Sequence, residues 1–526
     1  MSQCHLTYVS FQQEVIPILI NKGRIPLYTS LSPTRANLPK IMNRILQNIR
    51  VNSRDTDWLY QYYKGYQPIL HRVKPIRPEI NNKVVDNVAL EIVEFARSYT
   101  FGEGVQYVKK GTEGVLGKPN VDDTGPIASL NRTMDIVAKH TSDVELGDWL
   151  AISGHAYRMV LPIKEEPGYE IITLDPRNTF VVYSSDFRRR PVLAGTSYLE
   201  DTDDGRVMEV YTIYTSLNET FELRIEAEVS EVLPKQISEA KKNTLKSIPI
   251  IEYIANPSRM GRFEPAIELM NALNEAHSNR LDGIAQFIQS LIVFKNCQIS
   301  QEGIEEIKAH GAVSIESKHG TADIEILSEE LDQIQVQHVV DSLYDRILTI
   351  CGIPDRRMLG GGNTGTSLEI GQGWVDMENR AKSLEALFIK SENRLLTIIL
   401  DILKTKKKSE YESLEVTDIE IKFTRNKSAN LLIKTQGLFN MLNAGIHPRI
   451  SISVSSLFSD PEEVYQESLV GGYLEKWKYK EPDRVDIDTK TPANSNPRTL
   501  GLHSVDDGVT ARTALGQTRT NPKDTV

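Results

Sequence analysis

The stretch with the strongest chemical signal is a glycine-rich run, Gly360–Ser367, whose spacing approaches that of a phosphate-binding loop. In such a loop a lysine before the final Ser or Thr reaches the terminal phosphates, and a strand leads into the glycines. Here Thr366 stands in the lysine position, and the preceding residues have the pattern of a helix that stops at Gly352–Pro354. The run is therefore predicted to be a flexible connection between two helices and not a nucleotide site.

Other catalytic and metal-binding patterns do not occur in the sequence. The ten histidines are scattered, and His310 and His319 flank a predicted strand with no Cys or carboxylate nearby. The carboxylate pairs Asp122–Asp123 and Asp203–Asp204 have turn contexts, in which Asp commonly forms the turn itself. The three cysteines are far apart, which is typical neither of a zinc site nor of a disulfide framework. We therefore expect no catalytic residue, no metal and no cofactor.

Composition describes a soluble, folded, acidic protein. Hydrophobic residues make up 40% of the 526 residues, and 61 basic residues against 71 acidic ones give a net charge of -10. Proteins that grip DNA without sequence preference neutralise its phosphates with basic residues, so this balance disfavours tight DNA binding. The most apolar run falls well short of the ~20 residues needed to span a bilayer, and no membrane partner is predicted.

Hydrophobic periodicity divides the first half of the chain into helices and then strands. Apolar residues at helical spacing predict three helices, over Asn37–Arg50, Asn82–Tyr99 and Ile127–Leu150. The dense aromatic cluster Trp58–Gly65 is predicted to pack in the core. Between Tyr157 and Ala227, six β-branched and aromatic segments separated by Pro, Gly and Asp predict one antiparallel sheet.

The second half is predicted to be mostly helical, with one small α/β module. An amide-rich helix is predicted within Pro257–Ser290, and the module follows with a strand at Leu291–Phe294, a short helix at Gln301–His310 and two joined strands at Ala312–Glu316 and Ala322–Leu327. The predicted elements after the module are a helix from Ser328 to Ile350, a long helix from Thr366 to about Lys406 with a kink near Gly371 and Gly373, a strand within Glu415–Thr424, and helices at Asn430–Leu442 and Pro461–Val470. From about Pro482 the chain is polar, and this tail is predicted to be disordered.

The order of these elements, together with several short motifs, resembles the portal (head-to-tail connector) proteins of tailed bacteriophages, of the siphophage type. The motifs that carry the resemblance are Tyr62–Gly65 with Ile69–Arg72, Asn81–Asp86 with Phe101–Gly102, Gly154–Tyr157, Asp175–Phe180, Ile248–Ile250 and Gly352–Pro354. The resemblance covers most of residues 40–470 and leaves the polar tail unmatched.

The resemblance implies an α+β portal subunit with a helical and sheet wing, a two-helix stem, a small α/β clip, a long kinked helix and a C-terminal helical crown. The implied parts are the wing (1–255), the first stem helix (256–290), the clip (291–330), the second stem helix (331–352), the tunnel loop (353–366), the long kinked helix with a returning wing strand (367–424), the crown (425–480) and a disordered tail (481–526). In a ring, the amide-rich stem helix is expected to serve a wet interface between copies.

The resemblance also implies function and partners. The protein would form a ring of twelve at one capsid vertex, the channel for double-stranded DNA in packaging and ejection. The terminase large subunit would dock on it, then the head-completion (adaptor) proteins, beside the major capsid and scaffolding proteins. It would be found in the virion, and in the host cytoplasm during assembly. The residues that would face DNA in the tunnel loop are Met358, Leu359, Gly360, Gly361, Gly362, Asn363, Thr364, Gly365 and Thr366.

Two other functions stay open at this point. Another capsid-associated structural protein, such as a minor head protein, would lack paired stem helices flanking a small module. A packaging enzyme, such as a terminase or nuclease, would need an intact phosphate loop or a cluster of acidic metal ligands.

Overall fold

The computed structural model describes residues 21–110, 125–202, 205–226, 229, 231–288, 291–295, 323–327, 333–355, 373–405, 410–423, 431–455, 457 and 461–474. Helices and strands are mixed throughout these ranges, as the α+β prediction requires. The chain divides into two compact units, with the boundary in sequence between Gly437 and Leu438.

The described helices are α1 (Leu38–Tyr63), α2 (Val88–Phe101), α3 (Pro126–Ile136), α4 (Lys139–Ser153), α5 (Ile267–Ile288), α6 (Gln333–Cys351), α7 (Trp374–Leu403), α8 (Leu431–Asn443), α9 (Pro448–Ser455) and α10 (Pro461–Val470). The described strands are β1 (Leu27–Thr29), β2 (Gln106–Lys109), β3 (His155–Pro162), β4 (Tyr169–Leu174), β5 (Thr179–Ser184), β6 (Pro191–Asp201), β7 (Val207–Thr215), β8 (Glu219–Glu226), β9 (Lys241–Lys242), β10 (Ile250–Ile254), β11 (Leu291–Lys295), β12 (Asp323–Leu327) and β13 (Ile419–Lys422).

The six predicted strands between residues 155 and 226 are confirmed, but the prediction that they form one antiparallel sheet is wrong. They are divided between a six-stranded sheet of order β1-β5-β6-β7-β8-β9 and a three-stranded sheet of order β10-β3-β4. Strand β10 returns to pair with β3, with Ile250 opposite Met159, and β1 adds to β5 in parallel, with Leu27 opposite Val182. Both pairings join segments far apart in the chain, which local periodicity cannot reveal.

The six-stranded sheet packs on α1. Alternate residues of β8, among them Leu223 and Ile225, are buried on one side of the sheet, as the period of two requires. They join the same apolar cluster as Ile41 and Ile45 on the helical stripe that the sequence predicted. Burial of these two matched faces therefore fixes α1 across the sheet.

Several of the predicted helices have different bounds from those expected. The helix predicted over Asn37–Arg50 continues through the aromatic cluster to Tyr63. The helix predicted over Asn82–Tyr99 begins only at Val88, and residues 82–87 are extended instead. The helix predicted over Ile127–Leu150 is two helices, α3 and α4, separated at Ala138, whose φ of 52° is left-handed. A residue with a Cβ in that conformation interrupts the helical hydrogen bonds, and nothing in the local pattern signals it.

Helix α7 crosses the centre of the first unit. Its predicted four-and-three spacing is confirmed, because Phe388 and Leu395 are buried on one face. They pack in one cluster with Val160 of β3 and Tyr253 of β10. The predicted kink near its start falls partly outside the described residues, and α7 is continuous from Trp374.

Helices α9 and α10 belong to the second unit. The rings of His447 and Tyr465 lie 6.0 Å apart, between the start of α9 and α10. Helix α10 was predicted at these bounds, whereas α9 was not predicted, because its eight residues are too few for a convincing periodicity.

A buried group of four charges lies where α4, β3 and α7 meet. Glu392 of α7 forms ion pairs with Lys139 at 2.9 Å and with Arg158 at 3.4 Å. Asp143 of α4 binds the same two cations at 2.5 Å and 2.7 Å. All four side chains are almost completely buried, and their charges cancel.

Two tyrosine hydroxyls complete the surroundings of Glu392. Tyr107 of β2 donates at 2.5 Å and Tyr253 of β10 at 2.6 Å, one to each carboxylate oxygen. Burial alone would raise the pKa of Glu392, but Lys139, Arg158 and the two hydroxyls outweigh it and lower the pKa from 4.5 to about 2. This one carboxylate thus joins five elements through charge-assisted hydrogen bonds.

We predict that Glu392→Gln will reduce the free energy of unfolding by about 3–5 kcal/mol at neutral pH, because it leaves two buried cations sharing one carboxylate. The folded pKa of Glu392 lies below its unfolded value, so its contribution is present above about pH 4.5 and is lost as the pH falls towards about 2. The free energies of unfolding of wild type and Glu392→Gln, measured in urea, should therefore differ less and less as the pH falls from about 4.5 towards about 2.

The matched control is Glu412→Gln, because Glu412 is exposed. It should change the unfolding free energy by no more than about 0.5 kcal/mol at any of these pH values. A Glu392→Gln protein as stable as this control at neutral pH would contradict the role assigned to the buried group.

Candidate functional site: the paired helices α5 and α6

The predicted tunnel-loop residues Met358–Thr366 lie outside the described residues, as do His310, His319 and the carboxylate pairs at 122–123 and 203–204. The element that leads towards the glycine run is confirmed as a helix, since α6 ends at Cys351 and Gly352 follows with a left-handed φ of 62°. A phosphate loop requires a strand at this place.

The described part of the chain shows neither a cluster of metal ligands nor a membrane-spanning helix. Within it, no three His, Cys, Asp or Glu side chains come together in a way that would hold a metal ion. In the same ranges, every helix is too short or too polar to cross a bilayer.

Helices α5 and α6 lie side by side and run in opposite directions. Near one end Arg262, just before α5, donates to the Gly352 carbonyl at 3.3 Å, and near the other Arg280 donates to Gln337 at 2.6 Å. Strand β11 follows α5 and strand β12 precedes α6, and these two strands pair antiparallel, with Leu291 opposite Leu327. The arrangement is a helix hairpin that carries a two-stranded ribbon on the side where α5 ends. The predicted strand Ala312–Glu316 lies outside the described residues.

One face of α5 holds an extended segment of the chain, residues 82–87. Three side chains at a spacing of four accept hydrogen bonds from alternate backbone N–H groups of this segment. The pairs are Asn274 with Asp86 at 2.8 Å, Ser278 with Val84 at 3.0 Å and Asp282 with Asn82 at 2.7 Å. We call Asn274, Ser278 and Asp282 the polar ladder.

The polar ladder matches residues 82–87 because the spacing of side chains along one face of a helix is close to the spacing of alternate N–H groups along the segment. Residues four apart lie one above the other on a helix, and alternate N–H groups of an extended chain point to the same side. The three ladder residues are buried, so their hydrogen bonds replace water for both partners. This explains why residues 82–87 are not helical, since their N–H groups bind α5 instead.

The prediction that the amides of α5 serve a wet interface between copies is wrong for the residues whose contacts are described. Asn271 accepts from the Tyr62 hydroxyl at 2.9 Å, Asn274 donates to Gln67, and Asn279 accepts from Arg72. These amides bind the chain's own segment 62–86. The signal that was missed is the spacing of Asn274, Ser278 and Asp282, which marks one face of the helix.

Asp282 ends the ladder with an ionic contact. Its second oxygen lies 2.9 Å from the Lys74 amine and 3.3 Å from the Arg72 guanidinium. Burial would raise the pKa of Asp282, but the hydrogen bonds from Asn82 and Lys74 outweigh it and lower the pKa below its usual value. The carboxylate thus stays charged and holds α5 against the segment around residue 74.

The helix pair also presents apolar side chains to solvent. Leu281 and Ile284 of α5 are 43% and 41% exposed, and Val339 of α6 is 55% exposed. They belong to helices whose other faces are fixed by the ladder and by the apolar cluster around Met270 and Ile347. Leu281 and Ile284 are three residues apart and lie on one side of α5, and adjoining exposed apolar side chains of this kind are typical of a surface that meets another protein.

Comparison with known proteins gives one family. A family model described as "Phage portal protein, SPP1 Gp6-like" matches residues 43–470. Proteins of this family are structural, not enzymatic, and form part of the virion capsid. A search of curated proteins finds no match.

Two solved structures to which the chain is similar are described as necks of GTA particles. The neck of an empty particle, computed with C6 symmetry, is 14% identical over 73% of this chain and 89% of the other, with a TM-score of 0.38. The neck of a native particle, computed with C12 symmetry, is 12% identical over 77% of this chain and 94% of the other, with a TM-score of 0.37.

We predict that Asn274→Ala will lower the free energy of unfolding by about 1–3 kcal/mol, because it leaves the Asp86 N–H and the Gln67 side chain without their partner in a buried place. Amide hydrogen exchange should also become faster in residues 82–87. Glu275→Ala is the matched control, since Glu275 is the next residue on α5 and is exposed. Equal stability of the two variants would mean that the ladder does not hold the segment.

Proposed function

We propose that this chain, which belongs to the SPP1 Gp6-like phage portal protein family, forms a ring of twelve copies at one vertex of the capsid. The ring is the channel through which double-stranded DNA enters during packaging and leaves during ejection. It docks the terminase large subunit, then the head-completion proteins that lead to the tail. The observation that carries the proposal is the family match over residues 43–470.

The same family membership supports a role for each segment. Residues 1–255 are the wing, 256–290 and 331–352 the stem helices, and 291–330 the clip. The tunnel loop is 353–366, the long helix and returning strand are 367–424, the crown is 425–480 and the tail is 481–526. The antiparallel pair α5 and α6, with the β11–β12 ribbon beyond it, supports the stem and clip assignments.

Assembly of the ring takes place in the host cytoplasm, beside the scaffolding and major capsid proteins, before the ring becomes part of the virion. The exposed apolar side chains Leu281, Ile284 and Val339 support a contact between neighbouring stems. In a ring every copy uses the same two complementary surfaces, so one unfavourable residue is repeated at each interface.

The first test is the mass of the purified protein by light scattering, followed by electron microscopy. Twelve copies of the 59.3 kDa chain give 711.6 kDa and a particle with a central hole. A subunit that stays monomeric at high concentration, with or without scaffolding protein, would contradict the proposal.

We predict that Val339→Glu will prevent ring formation, because it places a carboxylate in each stem contact, where it would lose its water without gaining a partner. Since Val339 is exposed in the subunit, the unfolding free energy should change by no more than about 0.5 kcal/mol. Ile136→Glu is the control, because Ile136 at the end of α3 is 65% exposed and lies outside the proposed stem. Rings that form equally well from both variants would exclude Val339 from the interface.

The tunnel loop is proposed to adapt its shape around DNA, because its glycines allow backbone conformations that other residues avoid. Gly361→Pro should therefore reduce the length of DNA packaged per particle, whereas Gly361→Ala should reduce it less. Full-length packaging by the proline variant, measured by sizing the DNA extracted from particles, would show that loop flexibility is not required.

A further inference from the structure

A cleft of about 380 Å³ opens between α2, α4, α7 and the segment that precedes α5. Its volume is many times the ~30 Å³ that one water molecule occupies in the liquid, so it can admit a side chain or a small ion. Arg262 and Arg380 line it, beside the apolar surfaces of Leu150, Met377 and Leu384.

Arg262 reaches the cleft with part of its hydrogen-bonding capacity unused. Its Nη2 donates to the Gly352 carbonyl at 3.3 Å and lies 3.0 Å from the Met377 sulfur, and neither group carries a charge. Its Nε is buried and has no hydrogen-bond partner. Burial, and after it the nearby charge of Arg380, lowers the pKa of Arg262 to about 10.

Arg380 of α7 meets Arg262 at the same turn. A Cβ placed on Gly352 would lie 2.5 Å from the Arg380 Nε and 2.8 Å from its Cζ, so this guanidinium rests on the residue whose carbonyl binds Arg262. Among the described residues no carboxylate forms an ion pair with either arginine. By contrast Arg97, which lines the same cleft, is paired with Asp148 at 3.1 Å.

Two cations held together without a counterion cost free energy, and a planar guanidinium offers two parallel N–H donors to a carboxylate or phosphate. We propose that the cleft is an oxyanion site, in which Arg262 and Arg380 together bind a carboxylate or a phosphate group. The oxyanion has two possible sources, a free phosphate ion or an acidic side chain of a second copy of this chain. The second source alone rests on the proposed ring.

Binding is measured by isothermal titration calorimetry of inorganic phosphate into the unassembled wild-type subunit, at constant ionic strength. One phosphate per chain should bind, and Arg262→Gln and Arg380→Gln should each weaken the affinity at least tenfold. Arg206→Gln is the control, because Arg206 is exposed in an ion pair with Glu226, and it should bind as wild type does. Absence of phosphate binding to wild type, or equal binding by the Arg262 and Arg380 variants, would overturn the proposal.

Thermal unfolding is a second test, because phosphate should reverse which of the two proteins, wild type or Arg380→Gln, unfolds at the higher temperature. Without an oxyanion, Arg380→Gln should unfold at the same or a higher temperature than wild type, because it removes the like charge beside Arg262. With saturating phosphate, wild type should become the more stable of the two, since only its site is complete. A variant that is less stable by the same amount in both conditions would show a packing role only and would overturn the proposal.

Assembled rings distinguish the two sources. If a second copy supplies the carboxylate, rings will not bind phosphate, and Arg380→Gln will weaken assembly. If the ligand is a free ion, rings and subunits will bind phosphate equally, and the variant will assemble normally. A wild-type protein that binds phosphate but never forms rings supports the site and contradicts only the proposed ring.

Discussion

The first unit depends on the burial of one carboxylate, Glu392, whose desolvation must be offset by partners from several elements. Lys139 comes from α4, Arg158 from β3, and the two hydroxyls from β2 and β10. A buried charge is tolerated only where such partners are correctly placed. The requirement therefore sets the position of α7 relative to α4, to β2 and to the sheet of β3 and β10 more strictly than apolar contact alone would.

The polar ladder sets the position of α5 by a different means. An apolar contact between a helix and an extended segment would tolerate sliding, because it has little directionality. Hydrogen bonds from alternate N–H groups to residues four apart permit one register, and a shift by a single residue would leave buried groups unsatisfied. The helix that carries the ribbon of β11 and β12 is thereby fixed along its length to the body of the subunit.

The buried charge group and the polar ladder leave other surfaces of the first unit uncovered. The polar face of α5 is occupied by the chain's own segment, whereas Leu281, Ile284 and Val339 are among the apolar side chains of the helix pair that stay exposed. The arginines at Gly352 are a second such surface, since neither forms an ion pair with a carboxylate among the described residues. In the proposed ring, such surfaces would be completed by the neighbouring copy.

Sequence alone determined the elements whose signals are local. The stripe of α1, the β-branched and aromatic segments that form β3 to β8, the spacing of α7 and the order of helix, module and helix all follow from residue type and period, and with them the family resemblance. The division into two sheets, the break at Ala138, the extended residues 82–87 and the partners of Glu392 were decided only by the tertiary structure. Each of these depends on groups distant in the chain, whose pairing changes the free energy of burial without leaving a pattern among neighbouring residues.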